Sequence, residues 1–595
     1  MKFPYGISDF YKIITEGYFY VDRTAQIRLV EETGSQLLFL RPRRFGKSLW
    51  LSTLENYYDV AKADEFEALF GHLAIGQDPT PRHNQYFVLK WDFSAVSPLG
   101  DAREIQQALH RYVNACIQDF AVYYQELLPR KIIIEAEDAL ISFQSLLTAV
   151  RQTPYRLYLL IDEYDNFANE VIMGHHAPDQ ARYKALLYGE GTLKTLFKVI
   201  KSASSGRGLD RVFITGVSPV VLSDITSGYN VAKNVTLRPE FNNLCGFWES
   251  EIVDALEQTA ADCDVPTERA QEALAMMRRF YNGYTFSYNT EKVVYNPTLA
   301  LYFMEYVQAH CQYPREMLDS NLAMDREKLH YISQLPNGGQ LILDALNKAR
   351  PLSTQTLSDR FGVEDMLTST KDEAFMLSLL YYFGILTLAG KTTYGELVLQ
   401  IPNLVVQKLY VERIREMLLP DMDEDIGRKA AQILYQTGDI HPLCDFVEHR
   451  YFTVFDNRDY RWANELTIKT AFLTLLFNDL FYVMDSEPAL ARDYADLVMI
   501  VRPDMRQYQL LDILIEFKYI SLQEAKLSST EVQAMSNDDV KALKLVQNKL
   551  MESRTKLTRY RRALEDTYSN VLRLRTYTVI ALGFDRLVWA EVQGQ

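Results

Sequence analysis

The sequence predicts an α/β protein whose N-terminal part is a parallel sheet with flanking helices. Short apolar runs occur at 37–40, 86–93, 157–161 and 212–215, and long helical stretches separate them. Buried strands that alternate with helices are typical of a parallel sheet covered on both faces. At 595 residues the chain is long enough for about three or four domains.

Three further segments follow the first domain, which we assign to residues 1–240. Residues 241–370 are mostly helical and are expected to form a lid or connector. Residues 371–460 contain a helix, a β-hairpin at 385–402 and a second helix, which is compatible with a winged-helix module and equally with ordinary packing. Residues 461–595 follow the order α-β-β-α-β and are expected to form a separate α/β domain.

Composition excludes several classes of protein. Apolar residues make up 48% and charged residues 24%, which excludes disordered and collagen-like chains. Because no apolar run approaches the roughly 18 residues that span a bilayer, we expect a cytoplasmic protein without membrane contact. The five cysteines form no C-x-x-C pair, which fits a reducing compartment and argues against a zinc ribbon. The net charge of −15 argues against nucleic-acid binding unless basic residues are gathered locally.

A phosphate-loop pattern follows the first strand. The consensus G-x-x-x-x-G-K-[ST] needs a strand, a turn of open N–H groups, a lysine for the phosphates and a hydroxyl for magnesium at a helix start. The segment RPRRFGKS supplies Gly46, Lys47 and Ser48 in this setting, but Arg41 stands where the first glycine is expected. The alternative interpretation is an exposed lysine at a helix start.

Two later strands strengthen the nucleotide-binding interpretation. The run RLYLLIDEYDNF ends a buried strand with Asp162 and Glu163, which suits a carboxylate for magnesium and a second one for the attacking water. The alternative is a helix start that Asp165 caps. The strand RVFITG carries Thr215 near its end, where a polar side chain can contact the γ-phosphate or the water.

A second group of acidic residues lies near the C-terminus. In ADLVMIVRPDMRQYQLLDILIEFKYI two apolar strands surround a polar turn, and a hairpin symmetric about Arg506 places Asp496 opposite Glu516. Lys518 lies on the same face as Glu516 because side chains alternate along a strand. Facing carboxylates within apolar strands repel unless a divalent cation lies between them. The alternative is an exposed edge strand on which Glu516 simply pairs with Lys518.

A basic segment follows this hairpin. Residues 541–577 carry ten lysines and arginines against three acidic residues, which predicts a helix that contacts a phosphate backbone. An ordinary solvated helix face is equally compatible with this composition.

These motifs together resemble a family of bacterial AAA-ATPase-like proteins. The resemblance rests on RPRRFGKSL, the N-terminal YGISDFYKIITEGYFYVDRT, and the segments VLKWDFS, LLIDEYD and FITGVSP. In that family an ATPase-like domain precedes a nuclease-like domain, and Arg-Pro-Arg-Arg commonly replaces the start of the phosphate loop. The D…E-x-K pattern resembles the PD-(D/E)XK nuclease superfamily, whose restriction-endonuclease-like fold is expected at 461–595. This sequence has ARDYAD where some members carry a glycine shortly before the aspartate.

The resemblance implies roles for the candidate residues. In the first domain it implies phosphate and magnesium contacts for Lys47 and Ser48, water-mediated metal binding for Asp162 and a catalytic base at Glu163. Arg43 and Arg44 are expected to contact phosphate or to face a neighbouring domain. Arg238 is one candidate for an arginine finger in a homo-oligomer.

For the last domain the resemblance implies metal binding by Asp496 and Glu516 and orientation of water by Lys518. Glu465 on the preceding helix is a further candidate ligand, with a helix-capping or surface residue as the alternative.

The sequence therefore predicts an ATP-binding protein that hydrolyses ATP with Mg²⁺ and carries a nuclease domain using Mg²⁺ or Mn²⁺. The predicted substrate is nucleic acid, with DNA favoured over RNA, and cleavage is expected to be under nucleotide control. The alternatives are an ATP-operated switch whose nuclease fold is catalytically silent, and a scaffold without catalysis.

Overall fold

The computed structural model describes most of the chain. The residues outside this description are 98–99, 167–190, 220–230, 264–266, 290–291, 319–323, 348–349, 359–360, 362–371, 420–423, 453–463, 487, 491–492, 569–570 and 593–595. Two compact units are present, Met1–Cys311 with Ser353–Pro402 and Gln312–Leu352 with Asn403–Gln595. The predicted segments 241–370 and 371–460 each contribute to both units, and the predicted division into four segments stays a prediction.

A parallel five-stranded sheet forms the centre of the first unit. Its strands are β1 (Gln36–Leu40), β2 (Tyr86–Asp92), β3 (Arg156–Asp162), β4 (Leu209–Gly216) and β5 (Lys233–Asn234). Their order is β2-β3-β4-β1-β5, and every neighbouring pair is parallel. The four apolar runs of the sequence become β1 to β4, so the predicted parallel sheet is confirmed. Because β4 separates β1 from β3, side chains that leave β1 and β3 meet across the end of β4.

Helices cover this sheet and extend the first unit. They are α1 (Phe10–Thr15), α2 (Gln26–Thr33), α3 (Lys47–Tyr58), α4 (Phe66–Phe70), α5 (Ala74–Gln77), α6 (Ala102–Tyr123), α7 (Ala139–Val150), α8 (Thr192–Ser204), α9 (Glu249–Asp262), α10 (Thr267–Tyr281) and α11 (Pro297–His310). The helix α3 begins directly after the phosphate loop. The helix α6 begins at a complete capping box between Asp101 and Glu104, which satisfies N–H groups of its first turn.

A small three-stranded sheet lies mainly in the same unit. Its strands β6 (Leu352–Thr354), β7 (Thr387–Lys391) and β8 (Leu397–Gln400) have the order β6-β8-β7, and residues 362–371, between β6 and β7, lie outside the described chain. The predicted hairpin at 385–402 is the antiparallel pair β7-β8. The winged-helix interpretation stays a prediction.

The second unit contains a mixed five-stranded sheet. Its strands are β9 (Tyr482–Ser486), β12 (Leu497–Val501), β13 (Asp512–Ile520), β14 (Leu574–Leu582) and β15 (Arg586–Glu591), and a separate short pair is formed by β10 (Ala489–Leu490) and β11 (Asp493–Tyr494). The order is β15-β14-β13-β12-β9. Only β13 and β14 are parallel neighbours, and the other pairs are antiparallel.

The helices of the second unit pack on this sheet or against one another. They are α12 (Met324–Gln334), α13 (Gly338–Asp344), α15 (Leu404–Leu418), α16 (Glu424–Thr437), α17 (His441–Phe446), α18 (Glu465–Leu476), α19 (Leu522–Ala525), α20 (Ser529–Ala534), α21 (Asn537–Ala542) and α22 (Lys544–Tyr568), while α14 (Glu373–Tyr382) belongs to the first unit. Leu557, Tyr560 and Leu564 of α22 are buried against apolar side chains of β12, β13 and β14.

The predicted order α-β-β-α-β for the C-terminal domain is wrong in its number of strands. Between α18 and α22 the sheet contains β9, β12 and β13, and β15 follows β14. The strand β9 has the sequence YVMDS and β15 has RLVWAE, and both lie at edges of the sheet. An edge strand is paired on one side only and tolerates polar residues, so its apolar signal in a sequence is weak.

A disulfide joins Cys263 and Cys311 at the C-terminal ends of α9 and α11. The two cysteines are 48 residues apart, and their spacing carries no indication of this pairing. Disulfides are uncommon in the reducing cytoplasm that the cysteine count led us to expect.

Among the described residues, every helix falls short of the length and apolar character that crossing a bilayer requires.

Arg502 connects separate segments of the second unit. Its side chain is fully buried and donates hydrogen bonds to the carbonyl oxygens of Pro314, Arg315 and Asp479 at 2.9–3.0 Å. It also pairs with Asp504 at 2.9 Å. Arg502 therefore attaches the chain near residue 314 to the end of β12.

Replacing this arginine is expected to loosen the second unit. In Arg502→Met the three buried carbonyl oxygens lose their donor, and we expect the free energy of unfolding to fall by about 2–4 kcal/mol. Hydrogen exchange of residues 497–520 in the full chain measures this change. Arg554→Met, an exposed position on α22, is the control. Equal protection in Arg502→Met and wild type would contradict this role.

Candidate functional site

The phosphate loop connects β1 to α3 in the first unit. Gly46 precedes α3 with a φ of 89°, a left-handed conformation that favours glycine. The Lys47 side chain is 4% exposed, and its Nζ donates to the carbonyl oxygens of Arg41 and Pro42 at 3.0 Å. The alternative of an exposed lysine at a helix start is therefore wrong. Burial lowers the pKa of Lys47, while Asp162 and Glu163 oppose this shift.

Asp162 joins the loop to two strands of the sheet. Ser48 Oγ donates to Asp162 Oδ2 at 2.6 Å, and Thr215 Oγ1 donates to Asp162 Oδ1. The backbone N–H of Glu163 also donates to Oδ1, at 3.0 Å. The structure thus brings the predicted magnesium residues Ser48 and Asp162 together. Thr215 is fully buried and contacts this carboxylate, and its predicted contact with phosphate or water stays a prediction.

Glu163 lies in a strained turn directly after β3. Its φ of 48° is in the left-handed region, which is uncommon for residues other than glycine. Asp165 anchors the turn by accepting hydrogen bonds from the N–H groups of Val217 and Ser218 at 3.0 and 2.7 Å. These bonds attach Asp165 to the end of β4, and the alternative of a helix start that Asp165 caps falls on residues 167–190, outside the described residues. Burial raises the pKa of Glu163, against the opposing effect of Lys47 and Arg43.

Arg41 is a structural residue of the loop. It donates to the carbonyl oxygens of Leu40, Thr236 and Phe241 at 2.7–2.9 Å. Its guanidinium group lies between the rings of Phe39 and Phe286, at 4.3 and 4.2 Å from their centroids. Burial lowers the pKa of Arg41 to about 10. Arg41 therefore attaches the start of the loop to residues 236 and 241 through hydrogen bonds. A phosphate loop of the usual type has a glycine at this position.

The remaining predicted arginines take different positions. Arg43 Nη2 donates to Asn166 Oδ1 at 2.7 Å. Arg44 has a φ of 65°, and its carbonyl oxygen accepts from Thr298 Oγ1 at 2.8 Å. Arg238 is half-buried and lies 4.0 Å from Glu240, and its predicted role as an arginine finger stays a prediction.

A cavity of about 270 Å³ opens beside the phosphate loop. Residues 44–50, Glu163 and the N-terminal residues Tyr20 and Val21 line it, together with Phe247 and Thr298. The sequence did not indicate that the N-terminal segment or residues 244–247 belong to the site, because neither carries a charged or catalytic motif. Such a cavity is large enough to hold part of a ligand whose phosphates lie on the loop.

The second candidate site lies between β12, β13 and α18. Leu497 faces Ile515 and Met499 faces Ile513, so the register is the predicted one and places Asp496 beside Glu516. Asp496 Oδ2 accepts a hydrogen bond from the N–H of Phe517 at 2.7 Å.

Two lysines and one further carboxylate complete this cluster. Lys518 Nζ lies 3.0 Å from Glu516 Oε1 and 3.4 Å from Glu465 Oε1. Lys556 of α22, which the sequence did not single out, lies 3.5 Å from Glu516 Oε1. Glu516 and Lys518 are 1% and 6% exposed on an interior strand, so the alternative of a pair on an exposed edge is wrong.

Burial shifts the titration of these groups. Burial and the neighbouring Asp496 raise the pKa of Glu516 to about 7. Burial also raises the pKa of Glu465, although Lys518 opposes the shift. For Lys518 burial acts downward, but Glu516, Glu465 and Asp496 outweigh it and the pKa rises. The ammonium form of Lys518 is thus strongly favoured beside the carboxylates.

The acidic cluster fits a divalent cation in its chemistry but not in a completed geometry. Glu516 Oε2 is buried and accepts no hydrogen bond, and Asp496 lies opposite it. Oxygen ligands of this kind suit Mg²⁺ and Mn²⁺. Within the described ranges no group of three or more His, Cys, Asp or Glu side chains is arranged to hold a metal ion. In this structure the lysines occupy one oxygen of Glu516 instead.

Comparison with known proteins supports the ATPase part of these observations. Residues 4–226 match the model of the AAA-ATPase_like family, described as Predicted AAA-ATPase. The matched residues include the strands β1 to β4 and the phosphate loop. The match does not reach the C-terminal acidic cluster.

Three individual proteins are similar to the chain over long stretches. An uncharacterized protein in the vnfD 5′ region of Azotobacter chroococcum mcd 1 is 26% identical over 469 residues, covering 74% of each chain. The Walker-type ATPase of Pyrococcus abyssi is 14% identical with a TM-score of 0.37, over 66% of this chain and 96% of that one. The ORC1 protein of Aeropyrum pernix, in complex with DNA, is 12% identical with a TM-score of 0.24, over 67% and 95%.

The structural role of Arg41 can be tested by restoring the glycine. Arg41→Gly removes the hydrogen bonds that the guanidinium donates to the carbonyl oxygens of Leu40, Thr236 and Phe241, so we expect the free energy of unfolding of the first unit to fall by about 3 kcal/mol. Arg41→Lys should be intermediate, because a lysine keeps the charge but not the planar fork. Hydrogen exchange of residues 37–48 measures both effects. Wild-type protection in Arg41→Gly would show that the arginine does not hold the loop.

Proposed function

We propose that the first unit binds ATP with Mg²⁺ and hydrolyses it. The observation that carries this proposal is the contact of Ser48 with Asp162 beside a buried Lys47 at the start of α3. A helix N-terminus after a glycine turn presents N–H groups to phosphate. The carbonyl oxygens that now hold the Lys47 ammonium are weaker partners than a phosphate, so the ammonium can be transferred to the nucleotide.

The residues of the loop and of the ends of β3 and β4 have separate proposed roles in binding and in hydrolysis. The Ser48 hydroxyl and the Asp162 carboxylate would hold Mg²⁺, and Thr215 keeps the carboxylate oriented. A bound Mg²⁺ supplies positive charge to the phosphates. Glu163 is the proposed base, because its raised pKa makes it a better proton acceptor than an exposed glutamate. Arg43 and Arg44 border the same loop and are the proposed contacts to phosphate.

We further propose that the second unit is a metal-dependent nuclease that cleaves DNA under control of the nucleotide. The supporting observation is the cluster of Glu465, Asp496, Glu516 and Lys518 at the junction of α18, β12 and β13. Asp496 and Glu516 would hold Mg²⁺ or Mn²⁺, with Glu465 as an additional ligand. A cation held there would supply the positive charge that polarises the scissile phosphate and favours ionisation of water. Lys518 orients that water or neutralises developing charge.

The helix α22 provides the proposed contact surface for DNA. Its residues Lys544, Arg554, Arg559 and Arg562 are exposed, and Lys556 reaches the acidic cluster from the same helix. Exposed cations along one helix attract a phosphate backbone and release counterions when they bind it. The overall charge of −15 is compatible with DNA binding because these cations are gathered locally.

A specific observation favours a second candidate function, an ATP-operated switch with a catalytically silent nuclease fold. Lys518 and Lys556 both approach Glu516 Oε1, and the described residues contain no completed metal cluster. In this alternative the lysines neutralise the carboxylates permanently, and the second unit only binds its partner.

The nucleotide site can be tested by two substitutions. Lys47→Ala removes the ammonium that contacts the phosphates, so we expect ATP binding to be lost. Glu163→Gln should still bind ATP, but its rate of ATP hydrolysis should fall by about 100-fold or more, because glutamine cannot accept the proton. Calorimetric titration and phosphate release measure the two steps, with Lys12→Ala on the exposed side of α1 as control. Wild-type binding and hydrolysis in Lys47→Ala would refute the site.

The nuclease site requires its own experiment. We expect Mg²⁺- or Mn²⁺-dependent cleavage of DNA in the presence of ATP, abolished by EDTA. Asp496→Asn and Glu516→Gln should reduce it by about 100-fold or more, because each removes a carboxylate charge. Glu524→Gln, an exposed glutamate after β13, is the matched control. If wild-type protein leaves linear, circular and single-stranded DNA and RNA intact with either metal, the silent alternative replaces the nuclease proposal.

A further inference from the structure

A second cavity, of about 350 Å³, lies within the second unit and away from the acidic cluster. It is bounded by α15, α16 and the end of α18. Glu465 begins α18, whereas Thr474 and Leu475 near its other end line the cavity. At 1.5 Å per residue the two ends are about 14 Å apart, so the cavity is separate from the proposed nuclease site.

The charged residues that line this cavity are all positive. Its lining includes Arg315, Arg415 and Arg428, and among the residues that the structure describes it contains no aspartate or glutamate. Arg428 pairs with Asp425 at 2.6 Å, but the two side chains are 68% and 74% exposed, respectively. An exposed pair three residues apart on a helix contributes little to stability, so phosphate can replace Asp425 as the partner of Arg428.

The remaining lining is aromatic or neutral. Tyr435, Phe477 and Phe481 contribute rings, and Gln432 and Asn478 contribute amide groups. Arginines bind phosphate with two parallel hydrogen bonds, aromatic side chains pack against flat rings, and amides form hydrogen bonds with ring edges. The volume lies within the range of small-molecule sites and suits a single nucleotide.

We propose that this cavity binds a free nucleoside phosphate, with the arginines on the phosphate and the aromatic side chains against the base. This site is separate from the phosphate loop and does not depend on the proposed nuclease. It would make the second unit a nucleotide-binding unit in its own right.

The test uses the full chain with Lys47→Ala, so that the first site does not contribute. AMP, GMP, CMP and UMP are each titrated by calorimetry, with inorganic phosphate as a separate probe. We expect at least one mononucleotide to bind, and to bind about tenfold more tightly than phosphate, a difference that corresponds to about 1.4 kcal/mol. Adding Arg315→Ala and Arg428→Ala should weaken it about tenfold or more. Both arginines are exposed, which limits their effect on folding.

Lys429→Ala is the matched control, because it removes one positive charge from the neighbouring exposed position of α16. Binding that survives Lys429→Ala but not the arginine pair supports the proposal, even if Lys47→Ala leaves the first site active. The proposal is overturned if no mononucleotide binds, or if the variant with Arg315→Ala and Arg428→Ala binds mononucleotides as tightly as the protein with both arginines. Equal affinity for inorganic phosphate and for the mononucleotides also overturns it. Binding confined to 5′-phosphorylated oligonucleotides also overturns it, in favour of a site for strand ends.

Discussion

The carboxylate of Asp162 is the group on which the first site depends. It accepts hydrogen bonds from Ser48 at the start of α3 and from Thr215 at the end of β4, and it ends β3 itself. Three segments that are distant in sequence therefore meet at one charged group. A buried carboxylate is costly without hydrogen-bond partners, so the site depends on the two hydroxyl groups keeping their positions around Asp162.

Buried arginines hold the surroundings of both candidate sites. Arg41 connects β1 to Thr236 and Phe241, and Arg502 connects β12 to the segment near residue 314. Each guanidinium donates hydrogen bonds to three backbone carbonyl oxygens. The guanidinium group suits this role because it holds several N–H donors in one fixed plane. The charge of each arginine thus serves the backbone rather than a ligand.

The sequence predicted local features better than distant ones. The strands β1 to β4 and the contact of Ser48 with Asp162 follow from apolar runs and a motif, and the register of β12 and β13 follows from the symmetry about Arg506. The structural use of Arg41 could not be predicted, because its partners lie about 200 residues away. The contact of Lys556 with Glu516 could not be predicted either, because the sequence does not distinguish Lys556 from the other lysines and arginines of its segment.

The electrostatics of the acidic cluster separate the two candidate functions of the second unit. Three carboxylates face two ammonium groups, and the raised pKa of Glu516 shows that the lysines do not fully compensate the burial and the nearby Asp496. A cluster selected only for stability would be expected to pair each buried charge or to replace it with apolar residues, because a buried ion pair often stabilises less than apolar packing. The retained carboxylates, one with a buried oxygen that accepts no hydrogen bond, are better explained by a positively charged ligand that completes the site. The proposed metal-dependent nuclease supplies such a ligand, whereas a silent fold leaves this oxygen without a partner.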